Sequence, residues 1–365
     1  MNPTIPGDLG DITPDWLTVA LESGGVSGGA IVSGYTAETI AEGAGFMNRL
    51  FRLRLDYDPG APDLPGTIIV KLPGSDPGLR EVSDRLGQHR REVRAYQVLA
   101  PNPHLPAPRC YYSGIDPITG DTVLLLEDMN HARQGDSVIG CGLDEARRAL
   151  VQLARFQAGW WDSPALEGLE WLPSKAAEAG LYQAIYPGAW QSLIESAGDG
   201  MPPGLRRLGD RLRSEVPRIK SELSTSPRTI VHGDYRLDNC FFTDDALPRP
   251  SVVVVDWEFC VRGRGACDVA TFISEAFPAQ RRREAELALV RTYHSALMDN
   301  GVADYSFEEC WRDYRLAMLE IFIFWIVTGG YCNYEGERAT SYLHNTLERL
   351  DVAISDLASV GLLAR

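Results

Sequence analysis

The sequence predicts an α+β fold, with a small β-rich N-terminal lobe over residues 1–127 and a larger, mainly helical C-terminal lobe over residues 128–365. Three observations lead there. Up to Glu127 the apolar residues fall in short, often alternating runs set between Gly- and Pro-rich turns, the pattern of half-buried strands. Beyond it the apolar spacing takes the helical period in six long segments. One β-like stretch, residues 227–256, interrupts those helices. A length of 365 residues suits about two domains of roughly 100 to 200 residues.

Thr13, Pro14 and Asp15 form a capped start for a short helix that ends at Gly24 and Gly25. Strands follow over 30–40, over 46–57 with Phe51, Leu53, Leu55 and Tyr57 alternating, and over 67–72. Residues 81–99 keep a helical face through Val82, Leu86, Val93, Tyr96 and Leu99, and strands over 109–114 and 122–127 complete a small sheet with one helix. The C-terminal helices are expected over 143–162, 175–196, 203–222, 279–298, 306–328 and 336–357. A β-rich lobe joined to a helical one predicts a ligand cleft at the junction.

The charge balance narrows the function. Thirty-five basic against fifty acidic residues give −15, which repels phosphate backbones and excludes a general nucleic-acid footprint. No Lys or Arg precedes Arg49, so a secretory leader with a positive start is not expected. The apolar run Ile321–Val327 is far short of the roughly 20 residues that cross a bilayer. Seven cysteines without a C-x-x-C pair suggest reduced thiols, neither a disulfide framework nor a thiolate zinc site. A cytoplasmic protein without membrane or nucleic-acid partners is expected.

The strongest chemical signal is Val231-His232-Gly233-Asp234-Tyr235-Arg236-Leu237-Asp238-Asn239, followed by Val252-Val253-Val254-Val255-Asp256-Trp257-Glu258. Asp234 and Asn239 are five apart on one tight loop, and Asp256 ends an apolar strand, so a hairpin fold-back would bring the three together. Such a set suits phosphoryl transfer, with one carboxylate taking a hydroxyl proton and an amide oxygen and a second carboxylate holding Mg²⁺, which requires hard oxygen ligands. Taken singly, H-G-D is more often a turn and a strand-ending Asp a cap. The joint spacing is far more specific.

With its H-G-D-x-x-x-x-N and D-W-E motifs, the segment resembles the aminoglycoside phosphotransferase and choline kinase group of the protein-kinase-like fold. The strand F-M-N-R-L-F-R-L, the run V-L-L-L-E-D-M and D-W-E look nearest to its ecdysteroid-kinase-like, CHK-type branch. The resemblance implies that Asp234 is the catalytic base, that Asn239 and Asp256 bind magnesium, and that His232 buttresses the loop. Gly265-Ala266-Cys267-Asp268-Val269-Ala270 is similar to the group's G-x-x-D-[LV]-A, which makes Asp268 a tie for the catalytic loop or, on the bland reading, a helix N-cap.

In the N-terminal lobe, Gly43-Ala44-Gly45-Phe46-Met47-Asn48 lies between two strands, where small residues let backbone N–H groups approach phosphates. A plain hairpin turn is the alternative, since Asn48 replaces the third glycine of G-x-G-x-x-G. Lys71 closes an apolar run and is one of three lysines beside thirty-two arginines; its compact ammonium suits the α- and β-phosphates. Glu92 sits where the group's orienting glutamate is found, with Glu81 as the competing choice, and an ordinary surface ion pair is the structural alternative. Val123–Met129 resembles the hinge strand, with backbone groups from Glu127 to Met129 meeting the adenine.

Other matches fail on context. Gly25-Val26-Ser27-Gly28-Gly29 spells a nucleophile elbow but follows a helix instead of a strand. No lysine is preceded by Gly and no H-E-x-x-H occurs, which removes the P-loop and zinc-protease motifs. The resemblance thus implies an ATP- and Mg²⁺-dependent kinase acting on a hydroxyl of a small molecule. The alternative is a catalytically silent nucleotide-binding module. Trp311, Tyr314, Phe322, Phe324, Trp325, Tyr331 and Tyr334 either line a pocket for a bulky, partly apolar acceptor or are simply core.

Overall fold

The computed structural model describes residues 3–26, 28–40, 48–58, 64–99, 106–243, 251–332, 334 and 336–363. The chain divides into two compact units, Met1–His131 and Ala132–Arg365.

In the first unit α1 (Pro14–Ser23) starts where Thr13 Oγ1 accepts the Trp16 N–H at 3.1 Å, with proline at the first helical position. Strands β1 (Val32–Thr39), β2 (Asn48–Tyr57), β3 (Thr67–Pro73), β4 (Cys110–Ile115) and β5 (Thr122–Glu127) form an antiparallel sheet in the order β1-β2-β3-β5-β4. Leu53, Leu55, Ile68, Val70, Leu72, Val123 and Leu125 pack with Leu17, Ala20 and Leu21 of α1 in one core. Each fully buried aliphatic side chain contributes roughly 1.5–3 kcal/mol. Period-2 alternation then sends Lys71, between Val70 and Leu72, to the other face of β3.

One helix was expected over 81–99; two are present, α2 (Pro77–Leu86) and α3 (Gln88–Val98). Gly87 separates them at φ 68°, a left-handed conformation that glycine adopts without a Cβ penalty. The Arg91 guanidinium then satisfies the Leu86 carbonyl at 2.7 Å, one of the acceptors that a helix end leaves open. A continuous apolar stripe conceals such a break, because it specifies a face and not the backbone at one residue.

The second unit contains β6 (Arg133–Gln134), α4 (Leu143–Ala158), α5 (Lys175–Ala197), α6 (Pro203–Glu222), β7 (Thr229–Val231), β8 (Cys240–Phe242), β9 (Val252–Val254) and β10 (Val261–Gly263). The helices α7 (Ala266–Ala276), α8 (Ala279–Asp299), α9 (Phe307–Phe324) and α10 (Glu337–Asp356) follow. α4 packs on α8, α5 on α6 and α7 on α9. β6, β8 and β9 form one small sheet and β10 pairs with β7 in another.

Two expectations are corrected here. The interruption runs on to Gly263, and α7 follows it, in a stretch where the N-cap alternative for Asp268 was the one sign of a helix. All eleven residues of α7 are buried, the polar Asp268, Thr271, Ser274 and Glu275 among them, so its polar side does not mark a solvent face as it does on a surface helix. The segment expected as one helix to 328 ends as α-helix at Phe324 and continues as a π-helical turn over Trp325–Gly329, a feature frequent at functional sites. Tyr314 and Phe322 are fully buried core, whereas Tyr331 is exposed. Among the described residues no helix is long and apolar enough to cross a membrane.

Candidate functional site

The loop from β7 to β8 carries His232, Asp234 and Asn239, and its backbone is fastened from outside. Asp268, third residue of α7, accepts the His232 N–H on Oδ2 at 2.8 Å and the Gly233 N–H on Oδ1 at 2.9 Å. Gln157 of α4 donates to the same Oδ2 at 2.9 Å, and its own Oε1 accepts from the Tyr293 hydroxyl of α8 at 2.6 Å. Asp268 thus ties the loop to three helices. The N-cap position belongs to Gly265, so Asp268 is not the cap. Burial pushes its carboxyl up to about 7, against the two backbone N–H donors that favour the anion.

His232 is fully buried, accepts the Asp234 N–H on Nδ1 at 3.2 Å and faces the Val255 carbonyl with Nε2 at 3.0 Å. One nitrogen accepting from an amide and the other facing a carbonyl assigns the neutral tautomer with hydrogen on Nε2. Burial lowers the imidazole below its ordinary value in the same direction. His232 therefore holds the loop to the strand end. Gly233 has φ 86°, and a Cβ there would lie 2.2 Å from the Phe259 carbonyl oxygen. Gly233→Ala is expected to cost more than about 2 kcal/mol, from left-handed strain plus a backbone clash, with the midpoint of urea unfolding as the readout.

Asp234 and Asn239 are 7% and 5% exposed. Asn239 Nδ2 donates to both the carbonyl and Oδ2 of Asp234 at 2.9 Å, so the amide oxygen is the atom that Asn239 could offer to a cation. β8 and β9 pair with Cys240 opposite Val254, and the Val255 N–H continues the ladder to the Asn239 carbonyl at 3.0 Å. Asp256 is the next residue, so the fold-back brings Asn239 beside the strand end that carries Asp256. Its backbone is left-handed, φ 68° and ψ 61°, a conformation that costs a non-glycine residue roughly 1–2 kcal/mol and recurs at functional sites. Two carboxylates and an amide oxygen are all hard donors, and the set fits a hard divalent cation.

In the first unit the ammonium of Lys71 lies 2.6 Å from Glu92 Oε2 of α3, with both side chains buried. Glu81 instead pairs with Arg85 in solvent, which removes it as the competing partner. The bland alternative of a surface pair fails on burial: an exposed pair is worth about 0–1 kcal/mol, whereas a buried one loses several if either member is removed. Asn48 opens β2 opposite Pro73. The Glu127 N–H donates to the Arg109 carbonyl at 2.8 Å and its carboxylate accepts the Arg109 N–H at 3.1 Å, while Met129 is buried. Gly43 and Gly45, with the rest of the glycine run to Met47, lie outside the described residues, as does Ser27.

Several residues around the loop had escaped the sequence reading. Arg236 donates from Nε to Asp234 Oδ2 at 3.0 Å and from Nη1 to Asp238 at 3.2 Å and to the Tyr342 hydroxyl at 2.9 Å. Its signal was available, an arginine inside the loop two residues past the candidate base. Gln157, Glu275, Tyr293 and Tyr342 have no such signal, because they reach the loop from helices far away in sequence.

The family model described as the phosphotransferase enzyme family matches residues 65–306, well over half of the chain. No curated protein matches the sequence. Among solved structures, choline kinase from Cryptosporidium parvum Iowa II is similar with a TM-score of 0.58 at 10% identity, over 90% of this chain and 91% of that one. The Plasmodium vivax ethanolamine kinase gives 0.53 at 14% identity over 88% and 82%. The GDP complex of aminoglycoside 2′-phosphotransferase-IIIa gives 0.51 at 13% identity over 88% and 93%. At such identities the likeness is one of fold, α+β and protein-kinase-like.

Proposed function

This chain belongs to the phosphotransferase enzyme family, and on that premise we propose that it moves the γ-phosphoryl group of ATP, with Mg²⁺, to an alcohol of a small molecule. The observation that carries the reading is the register of the β8–β9 hairpin. It sets Asp256 next to Val255, whose N–H is bound to the Asn239 carbonyl, while the Asn239 amide holds Asp234.

Asp234 takes or orients the hydroxyl proton as the new bond forms. Asn239, through its amide oxygen, and Asp256 would hold the magnesium ion, which when bound offsets charge on the phosphates. Lys71, fixed by Glu92, would neutralise the α- and β-phosphates, with the backbone of Glu127 to Met129 at the adenine. His232 and Asp268 keep the Asp234 backbone in one place, which is how positioning residues lower the barrier.

The test is a screen for ADP release from Mg-ATP with hydroxylated acceptors. Choline, ethanolamine and aminoglycosides come first, because proteins with those names share the fold, followed by macrolides, sterols and sugars. ADP release that depends on one of these acceptors is the expected result. ATP binding with no release above background for any of them would replace the reading by that of a catalytically silent nucleotide-binding module.

A further inference from the structure

Asp234 is held by more than its own loop. Among the described residues, the two side-chain donors that reach it, Asn239 Nδ2 at 2.9 Å and Arg236 Nε at 3.0 Å, fall on the same oxygen, Oδ2. Arg236 is fixed in turn from a distant part of the sequence. Its Nη1 donates to the Tyr342 hydroxyl at 2.9 Å, and that hydroxyl donates onward to Glu275 Oε2 at 3.2 Å. Trp325 Nε1, on the π-helical turn, donates to the other Glu275 oxygen at 3.1 Å, and its ring lies 5.5 Å from that of Tyr342. The guanidinium also sits 5.6 Å over the Tyr342 ring.

The directions are consistent along the whole chain of bonds. Arg236 can only donate, so the Tyr342 hydroxyl accepts from it; burial pushes the Glu275 carboxyl up to about 7, and in its ionised form Glu275 can only accept, so that hydroxyl donates to it. Reversing either end would leave a buried polar group unpaired. Three separate elements, α7 through Glu275, the turn after α9 through Trp325 and α10 through Tyr342, thereby converge on one guanidinium.

We infer that Tyr342 is a positioning residue for the catalytic base: through Arg236 it pins Oδ2 of Asp234 and so dedicates Oδ1 to the acceptor hydroxyl. The inference rests on the kinase reading for Asp234's role, but the linkage itself can be tested without turnover. Tyr342→Phe keeps the ring and removes the hydroxyl. The Arg236 Nε–H resonance, assigned by its disappearance in Arg236→Lys, should exchange with solvent at least about tenfold faster in Tyr342→Phe than in the unaltered protein. With a working acceptor, Tyr342→Phe should lower kcat roughly tenfold with KM for nucleotide nearly unchanged. Arg236→Ala should lower it about a hundredfold, and adding Tyr342→Phe to Arg236→Ala should change kcat by less than about twofold, because residues acting in series are non-additive.

An unchanged Arg236 resonance, or multiplicative effects in the double variant, would overturn the inference. A protein that turns over no acceptor counts against the kinase reading instead, and the resonance still decides the linkage. Should Tyr342→Phe not fold, Glu275→Gln leaves the ring in place and carries the same expectation at smaller size.

Discussion

Asp234→Asn should leave nucleotide binding within about threefold of the unaltered protein and lower turnover by something like 10²- to 10⁴-fold, the usual scale for loss of a general base. The substitution preserves shape. An asparagine side-chain oxygen in place of Oδ2 still accepts from Arg236 Nε and Asn239 Nδ2, which lie 3.0 and 2.9 Å from it, and Asp238 still faces Arg236. The main-chain ties to Asp268 and His232 are untouched. What is lost is the negative charge that draws the hydroxyl proton. The nucleotide contacts proposed for Lys71 and Glu92 belong to the first unit and do not depend on it. Calorimetric titration with Mg-ATP beside steady-state ADP release separates the two effects. Turnover within a few-fold of normal would remove Asp234 as the base.

The parts of this molecule that the sequence exposes are those where one residue's neighbours in the chain are also its neighbours in space. The apolar run that Lys71 closes is strand β3, and the five-residue spacing of Asp234 and Asn239 survives as a direct hydrogen bond. The parts concealed depend on distant partners or on a single backbone angle. α7 buries every residue, its polar Asp268, Thr271, Ser274 and Glu275 included, and Gly87 interrupts a stripe that looks continuous. The ties from Gln157, Tyr293, Glu275 and Tyr342 cross from helix to loop over separations that no local pattern records. The scarcity of lysine is a subtler case. It drew attention to Lys71, yet Lys175 and Lys220 are equally scarce, and the structure buries all three beside glutamates. In this chain a lysine marks a buried ion pair, and only the surrounding motif separates a phosphate ligand from a structural anchor.

That anchor carries the largest stability effect expected. Glu320 of α9 accepts from Lys175 at 3.0 Å and from Lys220 at 3.2 Å, and all three side chains are at most 6% exposed. Glu178 stands 3.9 Å from Lys220, whose ammonium lies 3.5 Å over the Tyr182 ring. Burial alone would push the Glu320 carboxyl up, but the two ammonium groups outweigh it and hold it down at about 2. A carboxyl depressed on folding contributes stability above its unfolded value, near 4.5, and loses that contribution as pH falls through the folded one. The contribution is about 3 kcal/mol, complete above pH 5 and gone near pH 2. Glu320→Gln should therefore cost roughly 3–5 kcal/mol at pH 7, since it leaves two buried cations facing the lone charge of Glu178. Its stability should also fall less steeply than that of the unaltered protein between pH 5 and pH 2. Adding Lys220→Met should restore part of the loss, because burial already disfavours that ammonium and holds it below its ordinary value. Urea unfolding at pH 7 and at pH 3 measures both differences. A cost under about 1 kcal/mol at pH 7, or parallel pH profiles, would mean that the buried charges find their balance elsewhere, and the cluster would then owe its place to packing alone.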